Sequence, residues 1–293
     1  MRHECEFCAV KALFAVLRLV PLPVSGWIFE RAGDLFYFCS PGRRKIAMDN
    51  LSIAYGDALS ARQKRRIARK CFQSGALSIL ELFLIKKMKK GASRRFTITG
   101  ESHFEGALSR GRGIVFVASH LGSWEYIGYP GYLRGVPRAV IVKKLKNDYL
   151  NRTIDGLRRE IETLPIPKVN AIRRTLSELR RNHGVAVVID QWAGSEGIWM
   201  NFFGRATSTT SLPARLAQKT GAALIPIYCL RKKIGRYEIR ALPEVKIPDG
   251  PDWERQTTER LNEILETQIR QTPEQWSWGH KRWKPKPPAI REG

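Results

Sequence analysis

His120 follows closely on an unbroken apolar run, Ile114 to Ala118, and precedes Glu125 in an H-x-x-x-x-E spacing interrupted by Gly122-Ser123. On one continuous helix these two residues would sit roughly 140° apart, on different faces. Across a turn they can meet. A carboxylate bonded to one imidazole nitrogen fixes the tautomer and leaves the other nitrogen free to take a proton, at a pKa already close to neutrality. That combination suits a general base acting on a hydroxyl group. The plainer alternative is a histidine that only closes a turn and a glutamate that only favours a helix start. Ser119 and Ser123 flank the histidine, but the sequence has no G-x-S-x-G elbow to present a serine nucleophile.

The surrounding elements must hold these groups. Ile114 to Ala118 has the length and β-branched content of a strand buried on both faces, and Trp124 to Leu133 reads as an amphipathic helix. Ala139 to Val142 is a second apolar run, ending at Lys143-Lys144-Leu145-Lys146-Asn147. A helix with a stripe of Leu150, Ile154, Leu157 and Ile161 follows, with Arg158 beside the stripe. Another helix carries Ile172, Leu176 and Leu179, and Val185 to Ile189 forms a strand closed by Asp190-Gln191. This alternation predicts an α/β fold with a mostly parallel central sheet flanked by helices. Ligands in such sheets bind beyond the carboxyl ends of the strands, so His120, Lys143 and Asp190 belong to one rim.

Downstream, Gly194 to Gly197 leads into Ile198 to Phe203 and Gly204-Arg205, a loop or hairpin that either borders the cleft or packs in the core. Ala222 to Leu230 reads as a strand that Pro226 confines to an edge, a bulge or a late pairing position. Tyr237 to Leu242 is its neighbour, and Trp253 to Ile269 a last amphipathic helix. The segment from Trp276 to Lys284 interleaves aromatics with cations, a chemistry that suits a lipid interface or stacking on nucleic bases.

Residues 1–40 form an N-terminal membrane-associating helical segment ahead of the main α/β domain over 41–293 in this reading. Two apolar helices, hinged at Pro21-Leu22-Pro23, place Phe14, Leu17, Leu19, Trp27, Ile28, Phe36 and Phe38 for an interface. Lys11, Arg18 and the prolines break any run long enough to cross a bilayer. Ser60 opens a long helix with Ile67, Cys71, Phe72, Gly75, Ile79, Leu82 and Phe83 on one face. With 51 Lys and Arg against 27 Asp and Glu, the net charge is +24, which points to polyanionic partners. Five scattered cysteines argue against a disulfide framework, and Cys5-x-x-Cys8 beside His3 lacks a second pair at ligand spacing, so no metal is expected.

Taken together, Asn50-Leu51, His120 with Glu125, Lys146-Asn147, Asp190-Gln191, Asn201-Phe202-Phe203-Gly204 with Thr207, and Pro273-Glu274-Gln275-Trp276-Ser277-Trp278 resemble the lipid A biosynthesis acyltransferases. The resemblance implies transfer of a fatty acyl chain to a hydroxyl of a phosphorylated membrane glycolipid, most simply a lipid A precursor. Its donor would be an acyl thioester of acyl carrier protein or coenzyme A, with no other cofactor and no nucleic acid. Acylation of a lysophospholipid, an aminolipid or a mannosylated lipid is the enzymatic alternative; a basic membrane- or nucleic-acid-binding protein is the non-catalytic one. Within the resemblance His120 is the base and Glu125 its orienting carboxylate, while Asp190 has a positioning role. Lys143, Lys146, Asn147, Arg158, Asp190, Gln191, Phe203, Gly204 and Arg205 are the candidate substrate contacts. Members of the family often carry arginine where Lys143 falls, and lysine offers no bidentate fork. The implied location is the cytoplasmic face of the inner membrane, held peripherally on an anionic surface.

Overall fold

The computed structural model describes residues 2–169 and 171–284. Its nine strands are β1 (Phe96–Thr99), β2 (Ile114–Ala118), β3 (Arg138–Val142), β4 (Thr163–Pro167), β5 (Gly184–Val188), β6 (Ile198–Phe202), β7 (Arg205–Thr209), β8 (Ala223–Lys233) and β9 (Arg236–Ala241). Seven of them form one sheet in the order β1-β9-β8-β2-β5-β3-β4. β2, β3, β4, β5 and β8 run parallel, while β8 and β9 pair antiparallel and β1 follows β9. The expected mostly parallel sheet is therefore present, with helices on both faces.

Pro226 lies inside this sheet rather than at its edge. β8 pairs in parallel with β2 from Ala223 to Pro226 and then antiparallel with β9 from Ile227 onward. The proline occupies the position where one ladder hands over to the other, where its missing N–H costs no bond. β4 has the sequence Thr-Leu-Pro-Ile-Pro and escapes the sequence reading because two prolines mask it. It closes one edge of the sheet, where such residues are tolerated.

β6 and β7 make a separate hairpin whose two-residue turn is Phe203-Gly204, both at positive φ (51° and 73°). Such a turn follows the natural twist of paired strands. Phe202 and Phe203 are buried against Trp276, Trp278 and Trp283, so the hairpin belongs to the core. The aromatic tail is likewise interior: Trp276 and Trp278 are fully buried, which leaves neither for a lipid interface or for nucleic bases. Asn50 pins that tail by donating from Nδ2 to the carbonyls of Trp278 (2.7 Å) and His280 (2.8 Å).

The two N-terminal helices, Arg2–Leu19 and Leu22–Cys39, meet close to the expected hinge. The second packs on the long helix Ala61–Phe83, which starts with a Ser60-Gln63 capping box. The contact is close: a Cβ on Gly33 would lie 2.6 Å from the backbone of Gln73. Asp34 adds an ion pair with Arg69 beside it. Phe14 and Leu17, expected at an interface, are instead buried, with Phe14 stacked on Phe83 at 3.7 Å. Leu19, Trp27, Ile28, Phe36 and Phe38 are exposed, joined by Leu13, Val16, Val24 and Leu35. Ile79, expected on the buried face of the long helix, is exposed as well. Among the described residues no helix is long and apolar enough to cross a membrane.

Candidate active site

The turn after β2 is sewn to its neighbours by its backbone. Gly122 N–H donates to the Gln275 carbonyl and Ser123 N–H to the Cys229 carbonyl. Gly122 has φ +65°, and a Cβ there would lie 2.2 Å from the Cys229 oxygen, so only glycine fits. Ser78 Oγ donates to the Gly122 carbonyl and in turn accepts from Arg231, which is paired in the interior with Glu81. A buried ionic network thus supports the turn from below.

The carboxylate that holds His120 is Asp190. Its Oδ1 lies 2.9 Å from His120 Nδ1, and its Oδ2 accepts from the His120 backbone N–H (3.0 Å) and from Trp276 Nε1 (2.8 Å). An ionised carboxylate only accepts, so Nδ1 carries the proton and Nε2 presents its lone pair. Asp190 is buried, while the His120 side chain remains 26% exposed. Burial resists charging of the imidazole, but the Asp190 charge and hydrogen bond outweigh it, with a smaller contribution from Glu125. The His120 pKa rises above its ordinary value. For Asp190 burial acts upward and is overcome by His120 and by the hydrogen bonds, which hold the carboxyl below the usual range.

Glu125 does not touch the imidazole. It sits on a 3₁₀ turn, Trp124–Gly128, and accepts two bonds from Arg158 (2.7 and 3.0 Å). Arg158 also meets Asp155 at 3.3 Å, so its charge is largely answered within the protein. The sequence spacing was read across a turn, but that turn directs the glutamate toward the helix Asp148–Arg159. Neither Ser119 nor Ser123 has a hydrogen-bond partner for its buried hydroxyl, so neither is bonded to His120.

His120, Glu125 and Arg158 open into a groove of about 570 Å³, and Lys143, Gln191 and Ala186 line it too. Lys168, Arg215 and Trp192 join this lining without having been singled out in the sequence; Lys168 follows β4, the strand its prolines concealed. Five other candidates stand elsewhere. Asn147 is a helix cap, its Oδ1 accepting from the backbone N–H groups of Tyr149 and Leu150. Phe203 and Gly204 form the hairpin turn, and Arg205 lines a second, shallower groove with Lys45, Lys281 and Trp283. Lys146 is exposed and lines neither groove. The side chains of His3 and Cys5 lie outside those described, and no metal-type cluster occurs among the described residues.

A histidine held by a buried carboxylate at the head of an apolar groove, on the carboxyl rim of a parallel sheet, is suited to taking a proton from a bound hydroxyl. The bacterial lipid A biosynthesis acyltransferase model matches residues 2–285, and the chain belongs to that family. It is an acyltransferase of the lipid A or related glycolipid type. It is 24% identical to a lipid A biosynthesis palmitoleoyltransferase of Escherichia coli over 92% of this chain and 87% of the relative. A lauroyltransferase of the same organism is 24% identical over 99% and 94%. A phosphatidylinositol mannoside acyltransferase of Mycolicibacterium smegmatis is 26% identical over 69% and 67%.

Proposed function

We propose that this enzyme transfers a fatty acyl chain from an acyl thioester to a hydroxyl of a lipid A precursor. The observation that carries the reading is the His120–Asp190 pair at the head of the apolar groove. His120 Nε2 takes the proton of the acceptor hydroxyl as its oxygen attacks the thioester carbonyl. The tetrahedral intermediate then expels the thiolate, which leaves with the proton that the imidazolium returns. One ester forms and one thioester breaks, with no covalent enzyme intermediate. Asp190 keeps the ring oriented and offsets the positive charge it carries between the two steps. Lys143, Lys168 and Arg215 line the groove, where they suit the phosphates of donor or acceptor.

Acyl carrier protein is the preferred donor in this reading, because a net charge of +24 favours capture of an acidic protein. Such attraction is screened within about 10 Å at 0.1 M salt. Activity with the carrier-protein thioester therefore falls as salt rises, and a coenzyme A thioester that is faster at every salt concentration sinks the assignment. The enzyme works at the cytoplasmic face of the inner membrane, held by the exposed apolar side chains of its first two helices. The acceptor is tested by mass spectrometry of total lipids from a strain lacking the gene. Loss of one secondary acyl chain from lipid A supports the proposal. Unchanged lipid A with an altered phospholipid or mannosylated lipid refutes it.

A further inference from the structure

The second groove, of about 610 Å³, has a basic lining that the chemistry at His120 leaves unused. Lys45 on the helix Pro41–Tyr55, Arg205 at the start of β7 and Lys281 in the tail line it, against one carboxylate, Asp49. Asp49 is already paired with Lys45 at 2.7 Å. Arg205 and Lys281 are exposed and have no carboxylate within ion-pair distance among the described residues. Lys64 reaches the same wall, donating to Ser52 Oγ at 3.4 Å. The wall is fixed before any partner arrives, because Asn50 bonds to the tail carbonyls and Arg43 donates to the Gly279 carbonyl (3.1 Å). Unanswered positive charge in a rigid concavity favours an acidic partner.

Two elements join this groove to the one below His120. β7 begins at Arg205, and Thr210, the residue after its end, lines the active-site groove. Five residues at about 3.3 Å each set the two roughly 16 Å apart. The tail covers the same interval. Lys281 and Trp283 line the basic groove, and the Lys284 ammonium stands 3.9 Å from the centre of the Trp192 ring, which lines the active-site groove. Between them Arg282 is buried, its Nη1 donating to the carbonyls of Gln191 (3.0 Å) and Ser208 (2.6 Å). The two grooves thus share a wall made of β7 and the tail.

We propose that the basic groove is the docking site of the acidic acyl carrier protein that brings the fatty chain. The inference rests on the carrier-protein reading above and adds where that donor sits. An extended backbone covers about 3.3–3.6 Å in three bonds, so the about 13 bonds from phosphorus to sulfur in a phosphopantetheine arm reach roughly 15 Å. That reach matches the span of β7. A carrier seated on Lys45, Arg205 and Lys281 therefore delivers its thioester to the groove of His120. None of the exposed apolar side chains of the first two helices lines the basic groove, which favours a protein over a membrane as its occupant. A coenzyme A thioester carries the same arm without the acidic protein, and so separates docking from chemistry.

The test is kcat/KM of the purified full chain with a carrier-protein thioester and with a coenzyme A thioester of the same acyl chain. Lys281→Glu is expected to lower the value for the carrier-protein thioester at least about tenfold, chiefly through KM, and to change that for the coenzyme A thioester less than about twofold. Lys45→Glu is expected to act in the same direction by at least about threefold, and it carries the test if the first variant does not fold. Lys219→Glu makes the same change of charge at the end of the helix Leu212–Thr220, beside the amino end of the parallel strands, and is expected to cost less than about threefold. Equal losses with the two thioesters, equal losses from Lys219→Glu and Lys281→Glu, or an unchanged KM for the carrier in the folded groove variants each overturn the docking site while leaving the donor assignment standing. Weaker binding of Lys281→Glu to anionic vesicles without that change in KM assigns the groove to the membrane and overturns it too. An unaltered protein that accepts the coenzyme A thioester and rejects the carrier-protein thioester refutes the donor reading, and this inference with it.

Discussion

In the proposed mechanism His120 acts as the neutral imidazole, and Asp190 raises the pKa at which it becomes neutral. The acid limb of kcat/KM is therefore expected above the ordinary histidine value of about 6.5. Asp190→Asn removes the charge in contact with the ring, so the limb moves to lower pH while the plateau falls, and a pH profile of the purified variant reads both. Glu125→Gln shifts the limb less, because its charge acts on the ring without touching it. Equal shifts in the two variants would contradict the assignment of Asp190 as the partner. His120→Ala is expected to cost about 10²–10⁴-fold in kcat with the fold retained, as general-base catalysis typically contributes that much. The position of the histidine just beyond a buried strand was legible from the apolar run that precedes it. Its partner was not, since H-x-x-x-x-E fixes a separation along the chain and says nothing of which way a 3₁₀ turn aims the glutamate. Asp190 was placed on the same rim, but contact across neighbouring strands depends on register, which one sequence does not contain.

The turn that carries His120 rests on elements far apart in the chain. Glu81 on the helix Ala61–Phe83 and Arg231 on β8 pair with both side chains buried, and Arg231 also donates to Ser74 and Ser78. Glu81→Ala leaves an uncompensated buried cation, and breaking such a pair typically costs about 3–5 kcal/mol. Denaturant unfolding measures this, and a loss below about 1 kcal/mol would mean that water or a neighbour answers the charge. Gly122→Ala is expected to reduce stability and activity together, because the added methyl meets the Cys229 carbonyl. The parallel strands were legible because they are continuous apolar runs with polar ends. β4 was hidden by its prolines, and the interior position of β8 by Pro226, whose effect depends on which neighbour each half of the strand meets.

Across the whole surface, charge and apolar exposure are separately arranged. Leu35 (65% exposed), Trp27 (61%) and Phe36 (55%) project from a helix whose other side is fastened to the body by Gly33 and Asp34. Replacing these three by serine keeps the Gly33 and Asp34 contacts and removes one ring contact, that of Phe36 with Phe72. Fully burying such side chains is worth about 1.5–3 kcal/mol each, so the triple variant is expected to lose at least about a hundredfold in affinity for vesicles containing anionic lipid. Cosedimentation gives the answer, and undiminished binding would assign attachment to another surface. The sequence could not divide Phe14 and Leu17, which are buried, from Leu19 and Trp27, which are not. That division depends on where Phe83 comes to lie.

The bond from Trp276 to Asp190 also has a meaning in time. The two residues are 86 positions apart, and the indole reaches the carboxylate only after the final strands and the last long helix have been made. At about 5–20 residues per second, a ribosome needs roughly 4 to 17 s to bridge that interval. During it β8 and β9 complete the sheet beside β2, and the carboxylate still lacks its third donor. The third donor to Asp190 is therefore added only once synthesis has passed the tail.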